Sequence, residues 1–379
     1  MSEKENSKLA LISFSDEQVM LLDTAMNFCR EKSGLDKVRG LLESDTGFDE
    51  KVWQEIVALG WSGVAIPESY GGSELGLSAL VPVIETMGRH LLTTPLMSAS
   101  LASQVILQGG NDTQKARWLP GFCEGLVGSL ALTEDSGSWD LEDLQCTATL
   151  NGDTLQLSGT KTFVFDAAVA DLLIVSLTYE GQTALVVVEK SALDGKALQR
   201  ETILDETKRS YRLNLDGVLV PLDNLLPIDD TCSTLAHINM VANLLLAAEL
   251  SGGIAAVLNV IIEYLNTRKQ FDRLIGSYQS LKHPTVDILL GLEASRSLVY
   301  HAATVWDTPD RESAVRMAKA QACEAAVFAG DRAVQFHGGF GFTYECDAQL
   351  FLRRALCNQF LYGDAAHHRK HLAPLLLGN

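Results

Sequence analysis

The chain has 379 residues, of which 47% are hydrophobic and 21% charged, and carries a formal net charge of −18. That balance is globular, and the length is enough for two or three hydrophobic cores. So acidic a surface disfavours nucleic acid and anionic membrane as partners, and leaves any phosphate-bearing ligand to local donors.

The N-terminus, MSEKENSKLALISF, is polar and mixed in charge, without the apolar core of a signal peptide. No apolar run is expected to span a bilayer, because Asn, Glu or Gly interrupts each one short of ~18 residues. The seven cysteines (Cys29, Cys123, Cys146, Cys232, Cys323, Cys346 and Cys357) form no CxxC pair. They read as free thiols in a reducing compartment, which points to the cytoplasm. His367, His368 and His371 lie close together without an HExxH glutamate, so no metal site is expected.

Helices come first. Ser15 and Gln18 form a capping box, with Phe14 and Val19 as a hydrophobic staple. The predicted helix runs on through Met20, Leu21, Leu22, Ala25 and Phe28. A second should begin near Asp49, carry Val52, Trp53, Ile56 and Val57, and stop at Gly60. Residues 77–92 read as a buried helix. From about residue 128 the period falls to two. Asn151-Gly152 signals a type I′ hairpin and Glu180-Gly181 another turn, in a set of antiparallel strands ending near Pro221. Helical patterns return over 238–268, 278–307, 309–338 and 347–361. A last helix over 364–377 should break at Pro374. The order implies an α+β protein: an N-terminal α-helical domain (1–124), a middle antiparallel β-domain (125–228) and a C-terminal α-helical bundle (229–379).

Six strings then stand out in order: IPESYGG (66–72), ALTEDSGSWD (131–140), GTKTFVFDAAVAD (159–171), NLDGVLVP (214–221), TRKQFDRLIGSYQSLKH (267–283) and VQFHGGFGFTYECD (334–347). With them the chain resembles the acyl-CoA dehydrogenase family over about residues 14–375. It is most similar to a bacterial branch that acts on bulky acyl-CoAs such as steroid intermediates. The resemblance implies that family's fold with a C-terminal four-helix bundle, and FAD as cofactor. It implies oxidation of the Cα–Cβ bond of an acyl-CoA to the 2-enoyl-CoA, with electrons passed to an electron-transfer flavoprotein. It also implies an oligomer, a tetramer in many relatives, with identical or related partner chains. A non-catalytic or half-site subunit of a heteromeric dehydrogenase is the competing reading.

Residue by residue, the resemblance puts Thr133 and Ser138 at the flavin pyrimidine and phosphates. Phe163 stands where the family usually has Trp against the flavin. Phe165 stands where many members have a Thr that bonds to flavin N5, a departure that removes the usual side-chain donor for that bond. Arg268 would grip the pyrophosphate with its planar fork. Phe271 would pack on the cofactor and Gln279 would bond to it, while Asp272 replaces the family's usual Gly. Gln335, Gly338 and Gly339 would reach the adenine end of FAD held by a neighbouring subunit. Read alone, Gly338-Gly339-Phe340-Gly341 imitates a dinucleotide fingerprint, but it follows a helical pattern rather than a strand.

The chemistry needs a carboxylate for the α-proton, and neither usual family position supplies one. The position in the family's YEG string is Gly363, and the alternative position on the long helix is Ala242. Two nearby acids remain as candidate bases. Glu249 lies two helical turns beyond Ala242 in an apolar run, where burial should raise its pKa. Asp364 lies one residue beyond the usual site, and would otherwise be a helix N-cap. A base from a partner chain is the third alternative.

Overall fold

A computed structural model describes residues 16–378. Phe14 and Ser15, half of the expected cap and staple, lie outside it. Helix α1 (Asp16–Lys32) and α2 (Leu35–Leu41) lead into α3 (Glu50–Ala58). Asp49 caps α3 by accepting from the Lys51 N–H at 2.9 Å, and Gly60 ends it at φ +76°. Val52, Trp53 and Ile56 face inward from it, as the 3.6-residue period requires. A short 3-10 turn at Leu77–Ala79 opens α4 (Leu80–His90), buried from Leu80 to Gly88. α5 (Leu96–Gly109) and α6 (Asp112–Cys123) complete the first helical part, and α6 begins with a capping box between Asn111 and Gln114.

Nine strands follow: β1 (Gly128–Ala131), β2 (Thr147–Asn151), β3 (Thr154–Ser158), β4 (Thr160–Phe165), β5 (Leu172–Tyr179), β6 (Gln182–Glu189), β7 (Leu198–Glu201), β8 (Ser210–Asn214) and β9 (Leu219–Pro221). They form a six-stranded sheet, β1-β5-β2-β3-β9 with β6 on β5, and a three-stranded sheet, β4-β8-β7. The larger sheet is mixed rather than antiparallel throughout, since β5 pairs parallel with both β1 and β2. β5 and β6 are buried along most of their length, so strict alternation does not govern them. The Glu180-Gly181 turn has φ +50° and +79°, the pattern of a type I′ hairpin. The other expected I′ turn differs. Asn151 is still paired with Thr154, and of Gly152 and Asp153 only Gly152 takes positive φ. Glycine at the first central position fits a II′ turn.

The C-terminal part is built on α7 (Thr231–Thr267), with α8 (Gln279–Thr304), α9 (Arg311–Phe336), α10 (Ala348–Asn358) and α11 (Ala365–Leu377) around it. By length and composition α7 could cross a membrane, against the sequence expectation, but 72% of its apolar window is buried inside the protein. α7 packs hardest on α4, across two glycines. A Cβ on Gly252 would stand 1.8 Å from Glu85 O, and one on Gly88 2.1 Å from Glu249 O. Only Gly lets the two backbones touch there. α11 runs through Pro374 without the expected break: the proline falls in the last turn, where few backbone bonds remain to lose.

Candidate active site

One cavity of about 650 Å³ opens between α4, α5, α7, the ends of β1 and β4, and the segment 354–362. Ile84, Met97, Leu101 and Leu246 give it an apolar body. Thr133, Ser138, Phe163 and Phe165 line it from the strand side, so four expected flavin residues share one wall. Their presentation has a local cause. The β4–β8 register slips between Lys161 and Val164, and Phe163 takes φ +53°, which leaves its ring 47% exposed.

The wall is braced from behind by a pair that the sequence reading missed. Lys161 is fully buried, and its Nζ donates to Glu134 Oε1 at 2.7 Å, Ser176 Oγ at 3.0 Å and Leu132 O at 3.2 Å. Glu134 also accepts from the Gln145 and Cys146 N–H groups at 2.7 and 3.1 Å. Burial alone would raise the Glu134 pKa and lower that of Lys161. For Glu134, its hydrogen bonds outweigh burial and hold the carboxyl below its usual range. In the sequence Glu134 stands beside Asp135 and Lys161 stands between threonines, so nothing local marks either as buried.

The remaining flavin candidates are elsewhere. Arg268, Phe271, Gln279, Gln335, Gly338 and Gly339 are exposed and none lines the cavity. Phe271 and Asp272 form the turn between β10 (Lys269–Gln270) and β11 (Arg273–Leu274) at φ +53° and +59°. Left-handed backbone at 272 explains why glycine is at home there, and why Asp, which tolerates that region, can replace it. Phe271 is 87% exposed and Arg268, three residues before it, is exposed too; an aromatic ring and a guanidinium suit a ligand with both a ring system and phosphates. Tyr264 on α7 stacks on His337 at 4.1 Å, which ties this end of α7 to the glycine turn after α9. The residues present therefore fit FAD, in two separated patches of one chain.

Neither family base position holds a carboxylate. Gly363 has φ +107°, and a Cβ there would meet His367 Cδ2 at 2.6 Å and His368 Nε2 at 3.0 Å. Ala242 is fully buried. Asp364 does not line the cavity. Its Oδ1 accepts from the His367 N–H at 2.7 Å as the N-cap of α11. Lys319 fixes this segment by donating to the carbonyls of Asn358, Gln359, Leu361 and Gly363 at 3.0–3.4 Å.

Glu249 does line the cavity, but its environment corrects the sequence expectation. Lys208 Nζ donates to Oε2 at 2.8 Å, Asn358 Nδ2 donates to Oε2 at 2.7 Å, and the Arg354 guanidinium grips Oε1. Arg354 also contacts Asp205, Thr207 and Thr93. Burial pushes the Glu249 carboxyl up, yet the two cations outweigh it and hold the pKa at about 2. The sequence showed the apolar run but not the Lys and Arg brought to it from the β7–β8 connection and from α10.

Family models for the acyl-CoA dehydrogenase N-terminal and C-terminal domains match residues 15–126 and 240–377. The acyl-CoA dehydrogenase fadE12 of Mycobacterium bovis is 32% identical over 311 residues, covering 78% of this chain and 79% of that protein. This chain belongs to the acyl-CoA dehydrogenase family. Its fold matches a glutaryl-coenzyme A dehydrogenase in complex with glutaryl-CoA, with TM-score 0.90, 27% identity and coverage of 97% and 96%. It also matches a variant of the Tcur3481–Tcur3483 steroid ACAD, with TM-score 0.85, 28% identity and coverage of 95% and 98%. Family members are FAD-dependent oxidoreductases.

Proposed function

We propose that this chain serves in the α,β-dehydrogenation of an acyl-CoA thioester as one subunit of a mixed assembly, in which a related chain supplies the proton acceptor. The observation that carries this reading is that neither family base position holds a carboxylate: Gly363 sits at φ +107° against His367 and His368, and Ala242 is fully buried. FAD, when bound, supplies the two-electron acceptor, from which electrons pass to an electron-transfer flavoprotein. Thr133, Ser138, Phe163 and Phe165 would hold its ring system from the strand side. Arg268, Phe271 and Gln279 would hold the phosphates and adenosine of the same or a neighbouring copy, with Gln335, Gly338 and Gly339 added across the subunit contact. Leu101, Met97 and Leu246 would exclude water from the acyl chain. The assembly would be at least a dimer, and a tetramer by similarity to the family. A steroid ACAD of two named chains among the structural relatives supports a heteromer.

Glu249 supports a second reading, a self-sufficient dehydrogenase, because it is the helix-borne carboxylate of the cavity and is ionised at neutral pH. A base held at a pKa of about 2 is a weak one, which favours the first reading. Purifying the chain alone with added FAD, and mixing it anaerobically with a panel of acyl-CoAs, separates the two. The mixed-assembly reading expects a perturbed but unbleached flavin spectrum. Rapid bleaching that Glu249→Gln abolishes would establish the second reading instead.

A further inference from the structure

Glu249 and Arg354, the most buried charges of the cavity wall, are matched. Glu249 spends both oxygens on Lys208, Asn358 and Arg354, and Arg354 spends its other donors on Asp205, Thr207 and Thr93. Asp166 is different. Among the described residues its carboxylate accepts a single hydrogen bond, from Ser98 Oγ to Oδ2 at 2.6 Å, and Oδ1 accepts none. Both residues line the cavity.

The backbone at this point is fixed. Asp166 directly follows β4, its N–H donates to Arg209 O at 3.0 Å, and its carbonyl accepts from Val169 and Ala170 at 3.0 and 3.1 Å. Its φ of +56° is unusual outside glycine, and the tied turn holds it there. Burial raises the carboxyl pKa to about 6, against the opposing pull of Ser98, Lys208, Arg209 and Arg354. Asp166 is hydrogen-bonded to Arg209, the chain neighbour of Lys208, and Lys208 grips Glu249, so Asp166 belongs to the Glu249 end of the cavity. That end is seven residues, roughly 10 Å, along α7 from Ala242, the alternative family position for the base. We take it as the end for the acyl tail, with the thioester nearer Ala242.

We infer that Asp166, held by Ser98, is the anchor for a hydroxyl group carried on the far part of an otherwise apolar acyl chain. The inference rests on the reading that this cavity takes an acyl-CoA. A plain alkyl tail would strip water from Oδ1 and return no hydrogen bond, whereas a hydroxyl donates to it. The apolar residues around it set the rest of the chain, as in other ligand cavities where a few polar groups fix orientation.

The test is titration calorimetry on the FAD-loaded chain, at a pH of about 8 where Asp166 is ionised. The probes are butyryl-, hexanoyl-, octanoyl- and decanoyl-CoA, each with its ω-hydroxy and ω-carboxy counterpart. At one chain length the ω-hydroxy form should bind about tenfold tighter than the alkyl form. Asp166→Leu should erase that preference and bind the alkyl form at least as well as the wild type. Asp166→Asn, which keeps one acceptor and the shape, should retain part of it and guards against misfolding of the Leu variant. The anchor is overturned if no length shows a hydroxyl preference, or if the preference survives in both variants. It is also overturned if the ω-carboxy forms bind tightest, which would give the tail to Lys208 and Arg354. If no acyl-CoA binds at any length while FAD stays bound, the reading of the cavity itself fails along with the anchor.

Discussion

Lys208 Nζ stands 2.8 Å from Glu249 Oε2, and the Arg354 guanidinium closes on the other oxygen of the same carboxylate. One acid is thereby matched by two cations in the wall of an apolar cavity. Removing the acid leaves both cations short of a partner, and breaking a buried pair in this way costs about 3–5 kcal/mol. Glu249→Gln should accordingly lower the unfolding free energy by about 3 kcal/mol in denaturant titrations. Glu249→Leu combined with Arg354→Leu should cost less than the sum of the single changes.

Asp166 and Glu249 give the stability a distinctive acid branch. The folded pKa of Glu249, about 2, lies below its ordinary 4.5, so its contribution is complete above about pH 4.5 and fades as the pH falls toward 2. Asp166 has the opposite sign. Its folded pKa of about 6 lies above the ordinary 3.8, so it opposes folding at neutral pH and that penalty is relieved as the pH falls from about 6 to 4. Asp166→Asn should therefore stabilise the protein by about 1–3 kcal/mol near pH 8 and by much less near pH 4. Thermal melts across that range check the slope. An Asn variant offset equally at all pH values would contradict the assignment.

Lys161 braces the loop that carries Thr133, donating to Leu132 O and Glu134 Oε1 on either side of it. Lys161→Met should reduce FAD affinity by at least about tenfold and lower stability by about 3 kcal/mol. Equilibrium dialysis with FAD, beside a melt, distinguishes loss of the loop from global unfolding. Intact binding in a destabilised variant would mean that the loop does not depend on this pair.

Arg268 acts at the other patch. Arg268→Ala should weaken FAD by about 1.5–3 kcal/mol through loss of a charge-assisted fork, and leave the melting temperature of the FAD-free chain nearly unchanged, because the side chain is exposed. Retention of full flavin on dilution would remove Arg268 from the cofactor site.

Much of this architecture could be read from local pattern. Asp49 and Gly60 bound α3 because a cap and a left-handed stop are local events, and Glu180-Gly181 gives its hairpin for the same reason. The parallel pairing of β5 with β1 and β2 was not legible, since it joins segments separated by a whole hairpin or more. Neither was the state of Glu249. Its neighbours in sequence are apolar, while its partners Lys208, Arg354 and Asn358 arrive from β7–β8 and α10. Asp166 escaped notice because it reads as the ordinary end of a strand string; only the cavity shows its unused oxygen.

The proton acceptor is the central question, and hydrogen exchange at the substrate α-carbon addresses it without depending on an electron acceptor. The FAD-loaded chain is incubated alone in deuterated buffer with hexanoyl- or octanoyl-CoA, and the recovered thioester is weighed by mass spectrometry. A chain without its own base should add no deuterium at Cα beyond the buffer control, even though the thioester binds. Enzyme-dependent deuterium uptake that disappears in Glu249→Gln would contradict the account and return the proton to Glu249.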